Sequence, residues 1–252
     1  MEKAKIKIKR FDGNKEYIKE YEIDIADRTT VLEALSFIKD YIDPTLSFRA
    51  QCRASICGTC GVKIGEKHFL ACKTKLKDVI QGNGEVLIEP MANQQVIKDL
   101  ITEHNQFIEK LKVVKAWFEP KEKFEPVYPD ELKEFDKETD CILCGICYSA
   151  CPVIQTTKNF SPINFVKTYR FWKDKNDRLK DERIKLAVEG EIASCIHCKY
   201  CTFQCPKEIP VEQDIMKMVF VAKQKGLIKD NNQSDFGTPF GFGGFGGGFG
   251  NF

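Results

Sequence analysis

The sequence predicts an α+β protein in which a small strand-rich unit precedes a mostly helical one. Hydrophobic residues alternate with polar ones in the N-terminal part, at Ile6–Ile8, Tyr17–Ile25 and Val86–Ile88. From Val96 onward hydrophobic residues recur three or four positions apart, which is typical of helices. We therefore expect an α+β domain over residues 1–92 and a helical domain over residues 93–230.

Individual helices are expected where this spacing coincides with capping residues and helix-ending residues. Thr29 or Thr30 is a suitable cap for a helix that continues to Ile38 and stops before Asp43-Pro44. A helical face is predicted from Val96 to Val114, and prolines between 119 and 129 predict a non-helical connector. Further helices are predicted at Ile163–Lys173, Glu182–Val188 and Val211–Ala222, the last of them capped by Gly226.

Composition excludes several functional classes. Of 252 residues 42% are hydrophobic, which is enough for packed cores, yet no apolar run approaches the ~20 residues that cross a bilayer. Lys and Arg number 39 and Asp and Glu 37, so no net charge attracts nucleic acid. The N-terminus lacks the apolar segment of a secretory signal, which favours the cytoplasm.

All twelve cysteines fall into three groups of four. The first group has the spacing C-x4-C-x2-C-x11-C, which begins with the plant-type [2Fe-2S] pattern, and it consists of Cys52, Cys57, Cys60 and Cys72. The other two groups share the run C-x2-C-x2-C-x3-C-P of two-cluster ferredoxins, and they consist of Cys141, Cys144, Cys147 and Cys151, and of Cys195, Cys198, Cys201 and Cys205. The spacing predicts one [2Fe-2S] and two [4Fe-4S] clusters.

The ligands of the two [4Fe-4S] clusters are expected to cross between the runs, because the fourth cysteine of such a run binds the other cluster. The first cubane is therefore assigned to Cys141, Cys144, Cys147 and Cys205. The second is assigned to Cys151, Cys195, Cys198 and Cys201. Crossing would tie the two halves of the helical domain together and couple its folding to metal binding.

Zinc is the main alternative occupant, since C-x2-C pairs also build structural zinc sites. Zinc sites usually separate two such pairs, whereas here three cysteines follow one another at three-residue steps, twice. His68 and His104 carry no ligand spacing and are assigned structural roles, and His197 is expected to lie at the surface or to contact the ligands without being one. The sequence contains no nucleotide-binding motif and no nucleophile-histidine-acid pattern, so we expect electrons to enter and leave through partners.

Over nearly all of residues 1–228 the chain resembles the iron-sulfur subunit of succinate dehydrogenase and fumarate reductase. Several stretches carry the resemblance: residues 46–61 around the first three cysteines, Phe69–Cys72, Val96–Leu100, the run Cys141–Pro152, and Tyr169–Arg178. It implies a plant-type [2Fe-2S] ferredoxin (β-grasp) domain followed by an all-α helical ferredoxin domain. It also implies electron transfer between a FAD-containing flavoprotein subunit and a quinone-side, membrane-associated subunit, with no substrate catalysis on this chain.

The third cysteine group departs from the family pattern. Most members lack its second cysteine and hold a [3Fe-4S] cluster, whereas Cys198 stands there and predicts a second cubane instead. The usual tryptophan after the first Cys-Pro is absent from 153–156, and Ile196 replaces a usual histidine. These features are similar to the methylmenaquinol:fumarate reductase branch, whose quinone-side subunit is a cysteine-rich non-haem protein.

Other interpretations stay open from the sequence. The chain is alternatively a subunit of a thiol-dependent fumarate reductase or heterodisulfide-reductase-like complex, or a free ferredoxin-type carrier. A peripheral position on the cytoplasmic side of the membrane is expected, with co-export by a partner as the alternative. Residues 231–252 are rich in Gly and Phe and are expected to be disordered, or to dock through their phenylalanines on a partner or membrane.

Overall fold

The computed structural model describes residues 2–229, and their N-terminal part forms a five-stranded mixed sheet. Its strands are β1 (Glu2–Phe11), β2 (Glu16–Ile25), β3 (Gly61–Ile64), β4 (Lys67–Leu70) and β5 (Glu85–Glu89). The spatial order is β2-β1-β5-β3-β4, in which β1 and β5 are parallel and the other neighbours antiparallel. The three predicted strands are confirmed as β1, β2 and β5, while β3 and β4 were not predicted.

One helix, α1 (Val31–Phe37), packs on this sheet and begins at a capping box. The Thr30 hydroxyl accepts the Glu33 N–H at 3.1 Å, and the Glu33 carboxylate accepts the Thr30 N–H at 2.7 Å. A π-helical turn continues to Ile42, and the helix ends before Asp43-Pro44 as predicted. Thr30 is thus the cap, and Leu32, Leu35 and Ile38 are buried in the sheet core.

The helical face predicted from Val96 is wrong over its first part. The structure instead has a small hairpin of β6 (Val96–Lys98) and β7 (Ile101–Thr102), and the helix α2 (Asn105–Val113) begins later. The hairpin turns at Asp99, whose φ is +48°, and Leu100 is buried with the sheet. The four-residue separation of Val96 and Leu100 imitated helical spacing, but a contact distant in sequence fixes the turn.

That contact is a buried ion network around Arg10, which is 2% exposed. Its Nε donates to Asp99 Oδ1 at 2.7 Å, and its Nη1 donates to Asp43 Oδ2 at 2.8 Å and to Tyr21 Oη at 2.7 Å. Hydrogen bonds to the Asp43 carboxylate, first of all from Lys19, hold the pKa of Asp43 well below its usual range. Because each charge here is paired, removing one partner would leave another buried without compensation.

The C-terminal part consists of helices joined by short turns. After α2 come α3 (Pro129–Leu132), α4 (Asp136–Thr139), α5 (Ile146–Ser149), α6 (Pro162–Lys173), α7 (Arg183–Glu189), α8 (Tyr200–Phe203) and α9 (Val211–Gln224). The predicted helices at 163–173, 182–188 and 211–222 are confirmed, and Gly226 adopts φ +65° directly after α9. The domain boundary near residue 92 stays a prediction, and residues 231–252 lie outside the described part.

The helical part has its own core, in which α6, α7 and α9 pack against one another. Phe165 of α6 and Ile215 and Met218 of α9 are fully buried there. Six cysteines of the second and third groups lie in or against this core, while Cys60 and Cys72 of the first group and Cys144 of the second lie in or against the sheet core. The cysteine loops therefore lie at the edges of both cores, where packed helices and strands hold the candidate centres in place.

A buried acidic pair in this core predicts an unusual pH dependence of stability. Asp214 is 0% exposed, and burial together with the neighbouring Glu138 carboxyl raises its pKa from 3.8 to about 8. The folded protein therefore binds a proton that the unfolded chain releases, so stability falls as pH rises from about 4 to about 8. Asp214→Asn should remove this fall, which is on the order of a few kcal/mol for such a shift.

Thermal unfolding at two pH values inside that window measures the effect. The wild-type midpoint should drop at the higher pH, while the Asp214→Asn midpoint should change much less. Asp130→Asn is the control, since the Asp130 side chain is 92% exposed and should keep the wild-type profile. Parallel pH profiles for wild type and Asp214→Asn would contradict the prediction.

Candidate metal centres

The second and third cysteine runs have the same backbone conformation. In the second run Leu143 and Gly145 have φ values of +54° and +76°, and in the third run His197 and Lys199 have +56° and +64°. These residues occupy equivalent positions, the third and the fifth of each run. A left-handed conformation is expensive for leucine, histidine and lysine, so its repetition shows that both loops are shaped alike by their surroundings.

The same equivalence continues through the helices that complete each run. α5 and α8 each begin directly after the left-handed residue at the fifth position. The last cysteines are then placed by matching bonds, from Cys151 N–H to Tyr148 O at 3.2 Å and from Cys205 N–H to Thr202 O at 3.2 Å. Cys198 therefore stands in the third run where Cys144 stands in the second.

Each of two cavities is lined by cysteines from both runs. The first is lined by Cys141, Cys144 and Cys147 together with Cys205, and the second by Cys195, Cys198 and Cys201 together with Cys151. These are the two crossed sets assigned from the spacing. The remaining lining of the first cavity includes Ile142, Ile163, Val166, Ile209 and Val211. Apart from Lys207, the side chains of this lining are apolar and give the sulfur atoms a surrounding of low polarity.

Several thiols of these cavities are weaker acids than an ordinary cysteine. Burial raises the pKa of Cys144 and Cys201 to about 12 and that of Cys151 to about 11. It also raises the pKa of Cys147 well above the ordinary thiol value. Iron ligation requires thiolates, and a bound metal supplies the positive charge that stabilises them. All twelve cysteines are free, so buried sulfur donors are grouped with no disulfide between them.

The first cysteine group is held by a loop whose N–H groups point at sulfur. Cys52 Sγ accepts the N–H groups of Ala54, Ile56 and Cys57 at 3.4, 3.3 and 3.2 Å. These bonds lower the pKa of Cys52 to about 6, because they stabilise its thiolate. The N–H of Ser55 bonds Cys72 Sγ at 3.3 Å, so the distant fourth cysteine joins the loop. Such N–H groups suit an anionic cluster.

Cys60 is the buried member of this group. Burial raises its pKa to about 12, and Cys72 and Cys57 both lie close enough to interact with its sulfur. Together with the bonds of Cys52 and Cys57, this proximity brings all four predicted residues into one site. Arg53, Ser55 and Gly58 adopt positive φ values within the loop, which turns its backbone around the sulfur atoms.

The first cysteine loop touches the second directly. A Cβ added at Gly58 would lie 2.8 Å from Cys144 Cβ and 2.9 Å from Cys144 Cα. No sequence pattern predicted this contact between the two loops. The loops therefore approach each other more closely than any side chain at position 58 would permit, which gives a short path between the two sites.

Polar contacts fix the orientation of the two parts around these loops. The Asn93 Nδ2 donates to Ser149 O at 2.9 Å and to Cys151 O at 3.0 Å. His68 is 5% exposed, and its Nδ1 donates to Gln204 Oε1 at 2.9 Å, beside the ligand candidate Cys205. Its other ring nitrogen accepts the Ala92 N–H at 3.4 Å. This histidine is thus saturated by structural contacts.

The other histidines also have contacts that need no metal. His197 lies in the third run, where its Nδ1 is 3.1 Å from Glu212 Oε1, and His104 packs against the Phe107 ring. Within residues 2–229, no three Cys, His, Asp or Glu side chains lie close enough to share a single metal ion. The donor set, its free thiols and its N–H bonds fit iron-sulfur clusters.

Comparison with known proteins identifies the family. Residues 5–109 match the 2Fe-2S iron-sulfur cluster binding domain, and residues 138–209 match the 4Fe-4S dicluster domain. The 8-methylmenaquinol:fumarate reductase iron-sulfur subunit of Wolinella succinogenes is 34% identical over 232 residues, covering 87% of this chain and 73% of that protein. This chain belongs to the iron-sulfur subunits of succinate dehydrogenase and fumarate reductase. It is therefore an electron-transfer subunit of that oxidoreductase family, with a 2Fe-2S domain and a 4Fe-4S domain.

A further relative agrees with this membership, and a solved structure shares the fold. The fumarate reductase iron-sulfur subunit of Mycobacterium tuberculosis is 36% identical over 222 residues, covering 83% of this chain and 87% of that protein. A chain of the Mycobacterium smegmatis Sdh1 complex in the apo form has the same fold, with a TM-score of 0.79 at 23% identity, covering 89% of this subunit and 97% of that chain. No helix between residues 2 and 229 has the length and hydropathy to span a bilayer.

Proposed function

We propose that this subunit binds three clusters and relays single electrons between two partner subunits. The [2Fe-2S] cluster is held by Cys52, Cys57, Cys60 and Cys72. The first [4Fe-4S] cluster is held by Cys141, Cys144, Cys147 and Cys205, and the second by Cys151, Cys195, Cys198 and Cys201. One observation carries the proposal: each of the two cavities takes its cysteines from both runs, in the crossed pattern of two-cluster ferredoxins.

Four-thiolate iron clusters supply one-electron transfer. The chain's own residues prepare the sites for it. Apolar side chains such as Ile163 and Val166 exclude water from the first cubane site, and N–H groups such as that of Cys57 stabilise thiolate charge. Gly58 keeps the first loop against Cys144, so neighbouring sites stay in contact. The two parts of the chain remain in one orientation through Asn93 and His68.

The partners of this relay are a FAD-containing flavoprotein and a quinone-side, membrane-associated subunit, and the chain is peripheral to the membrane. Membership of the family supports both partners. Exposed apolar residues lie next to the outer sites: Tyr41 and Ile56 near the first cysteine loop are 78% and 65% exposed, and Ile196 and Phe203 in the third run are 62% and 77% exposed. Exposed apolar residues grouped beside a redox site are typical of partner surfaces. We assign the first pair to the flavoprotein and the second to the quinone side.

On the quinone side, we propose that the third cluster is a cubane, as in the methylmenaquinol:fumarate reductase branch. Cys198 supports this assignment, because its backbone position equals that of Cys144. The similarity to the Wolinella 8-methylmenaquinol:fumarate reductase subunit supports it further. We propose a low-potential quinol as the electron donor and a cysteine-rich, non-haem protein as the quinone-side subunit.

Purification of the tagged chain from its native cells tests the relay. The expected preparation contains bound flavin and a membrane-associated subunit, and it reduces fumarate with a quinol. Phe203→Asp should release the quinone-side subunit and keep the flavin, whereas Tyr41→Asp should weaken flavoprotein binding and keep the other subunit. Tyr128→Asp, at a position 63% exposed on the connector, is the control and should keep both. A stable, flavin-free chain that purifies alone would instead identify a free carrier.

A further inference from the structure

A buried lysine lies beside the first cubane site. Lys167 belongs to α6 and is 9% exposed, and its Nζ donates to the backbone oxygen of Cys141 at 3.2 Å. Within residues 2–229, no carboxylate lies within 4.0 Å of this ammonium group, although most buried charges are paired. Burial lowers the pKa of Lys167, and the Cys141 sulfur acts in the opposite direction. A buried ammonium without a carboxylate needs another source of negative charge.

A second cation of the same helix lies near the same cysteine. Arg170 follows Lys167 by one helical turn, and its Nε is buried without a hydrogen-bond partner in the described structure. Both cations oppose the effect of burial on the pKa of Cys141, so both lie close enough to interact with its sulfur. α6 therefore presents positive charge to the first cubane site.

The second cubane site faces a buried charge of the opposite sign. Glu212 at the start of α9 has a side chain 3% exposed and lines the cavity formed by Cys151, Cys195 and Cys198. Its carboxylate acts on Cys195 in the same direction as burial, raising the pKa of that thiol. Two basic side chains lie nearby: His197, 44% exposed, has its Nδ1 3.1 Å from Glu212 Oε1, and Lys199 is exposed to solvent, where water and salt screen its charge.

Buried charge of this kind changes how easily a cluster accepts an electron. Reduction adds negative charge to a centre that already carries four thiolates, so a neighbouring cation stabilises the reduced form and a neighbouring anion destabilises it. The effect is largest where protein rather than water surrounds both charges, which is the situation of Lys167 and Glu212.

We infer that Lys167 and Glu212 set the reduction potentials of the two cubanes in opposite directions, with Lys167 raising that of the first and Glu212 lowering that of the second. Neither residue is a ligand, and each acts on its cluster only through its charge. The inference rests on the cluster assignment of the proposed function, and it makes the two cubanes, whose cysteine loops are alike in backbone, unequal as electron acceptors.

Redox titration of the intact complex, followed by electron paramagnetic resonance, tests this inference. At a fixed potential, Lys167→Gln should lower the reduced-to-oxidised ratio of the first cubane by about tenfold, which equals about 59 mV for a one-electron couple. Lys167→Arg keeps the charge and should keep the wild-type potential. Lys185→Gln removes an exposed lysine from α7 and should also leave both potentials unchanged. Glu212→Gln should raise the potential of the second cubane and leave the first unchanged.

The outcomes separate this inference from the proposed function. Iron counting and the wild-type spectrum test the clusters themselves, and absence of two cubanes would overturn the cluster assignment. If both cubanes are present and neither Lys167→Gln nor Glu212→Gln shifts its own cluster, the inference is wrong. It is equally wrong if Lys167→Arg shifts the potential as far as Lys167→Gln does. If Lys167→Gln loses the first cubane, Arg170→Gln tests the part of the inference that concerns this cluster. It removes the second cation of α6 and must also lower the potential of the first cubane.

Discussion

Cys198→Ala should convert the third cluster from a cubane to a [3Fe-4S] centre, with loss of one of about ten iron atoms per chain. The reason is the position of Cys198 in its run, which is equivalent to that of Cys144. In both runs the residues directly before and after this cysteine have positive φ values. Removing this thiolate leaves three ligands, Cys151, Cys195 and Cys201, around the second cavity. The oxidised variant should show a strong paramagnetic signal that the oxidised wild type lacks.

The variant should fold normally, because Cys198 is the exposed member of its set and its removal leaves no buried cavity. Cys201→Ala is the contrasting variant: Cys201 is buried, so its loss should cost stability as well as the cluster. Iron content and the oxidised spectrum of purified protein measure the change. An iron content and spectrum unaltered by Cys198→Ala would show that this residue is not a ligand.

Gly58→Ala should destabilise the protein by several kcal/mol and impair the first cubane site as well as the [2Fe-2S] site. Two costs add: Gly58 has φ +73°, where a side chain costs roughly 1–2 kcal/mol, and its Cβ would lie 2.8 Å from Cys144 Cβ. Relieving such an overlap with backbone and ligand atoms costs typically another ~1–3 kcal/mol. The loops must separate, which displaces Cys144.

Gly65→Ala is the matched control for this prediction. Gly65 has φ +58° in the turn between β3 and β4, but nothing lies within 4 Å of an added Cβ. It therefore carries the conformational cost without the overlap, and its cluster signals should be those of the wild type. Thermal unfolding and the cluster spectra of both variants measure the difference. Equal losses in the two variants would mean that the contact between the loops is unimportant.

Local sequence patterns were sufficient for much of the fold. Alternation predicted β1, β2 and β5, and Thr30, the cap of α1, was one of the two capping residues expected there. The cysteine spacings are also local, so the sequence alone was enough to predict how the thiols group. The structure adds that the two repeated runs share one backbone conformation, which sequence identity at the cysteines alone does not establish.

Features that depend on distant residues were not predicted. The hairpin of β6 and β7 replaced an expected helix because Asp99 pairs with Arg10, 89 residues earlier, and no periodic pattern contains that contact. The strands β3 and β4 are only four residues each, too short for alternation to be distinctive.

The buried charges beside the cysteine sites could not be predicted for a similar reason. Lys167 has the pattern of an ordinary charged residue within a helix, and only the packing of α6 shows that it is buried near Cys141. The contact of Gly58 with Cys144 likewise required the tertiary structure.

The most direct test of the three-cluster relay is an iron count on the purified subunit, combined with electron paramagnetic resonance of the oxidised protein. One [2Fe-2S] and two [4Fe-4S] clusters predict about ten iron atoms per chain and no trinuclear signal in the oxidised state. About nine iron atoms with a strong oxidised-state signal would contradict the assignment of Cys198 and place a [3Fe-4S] cluster at the third site.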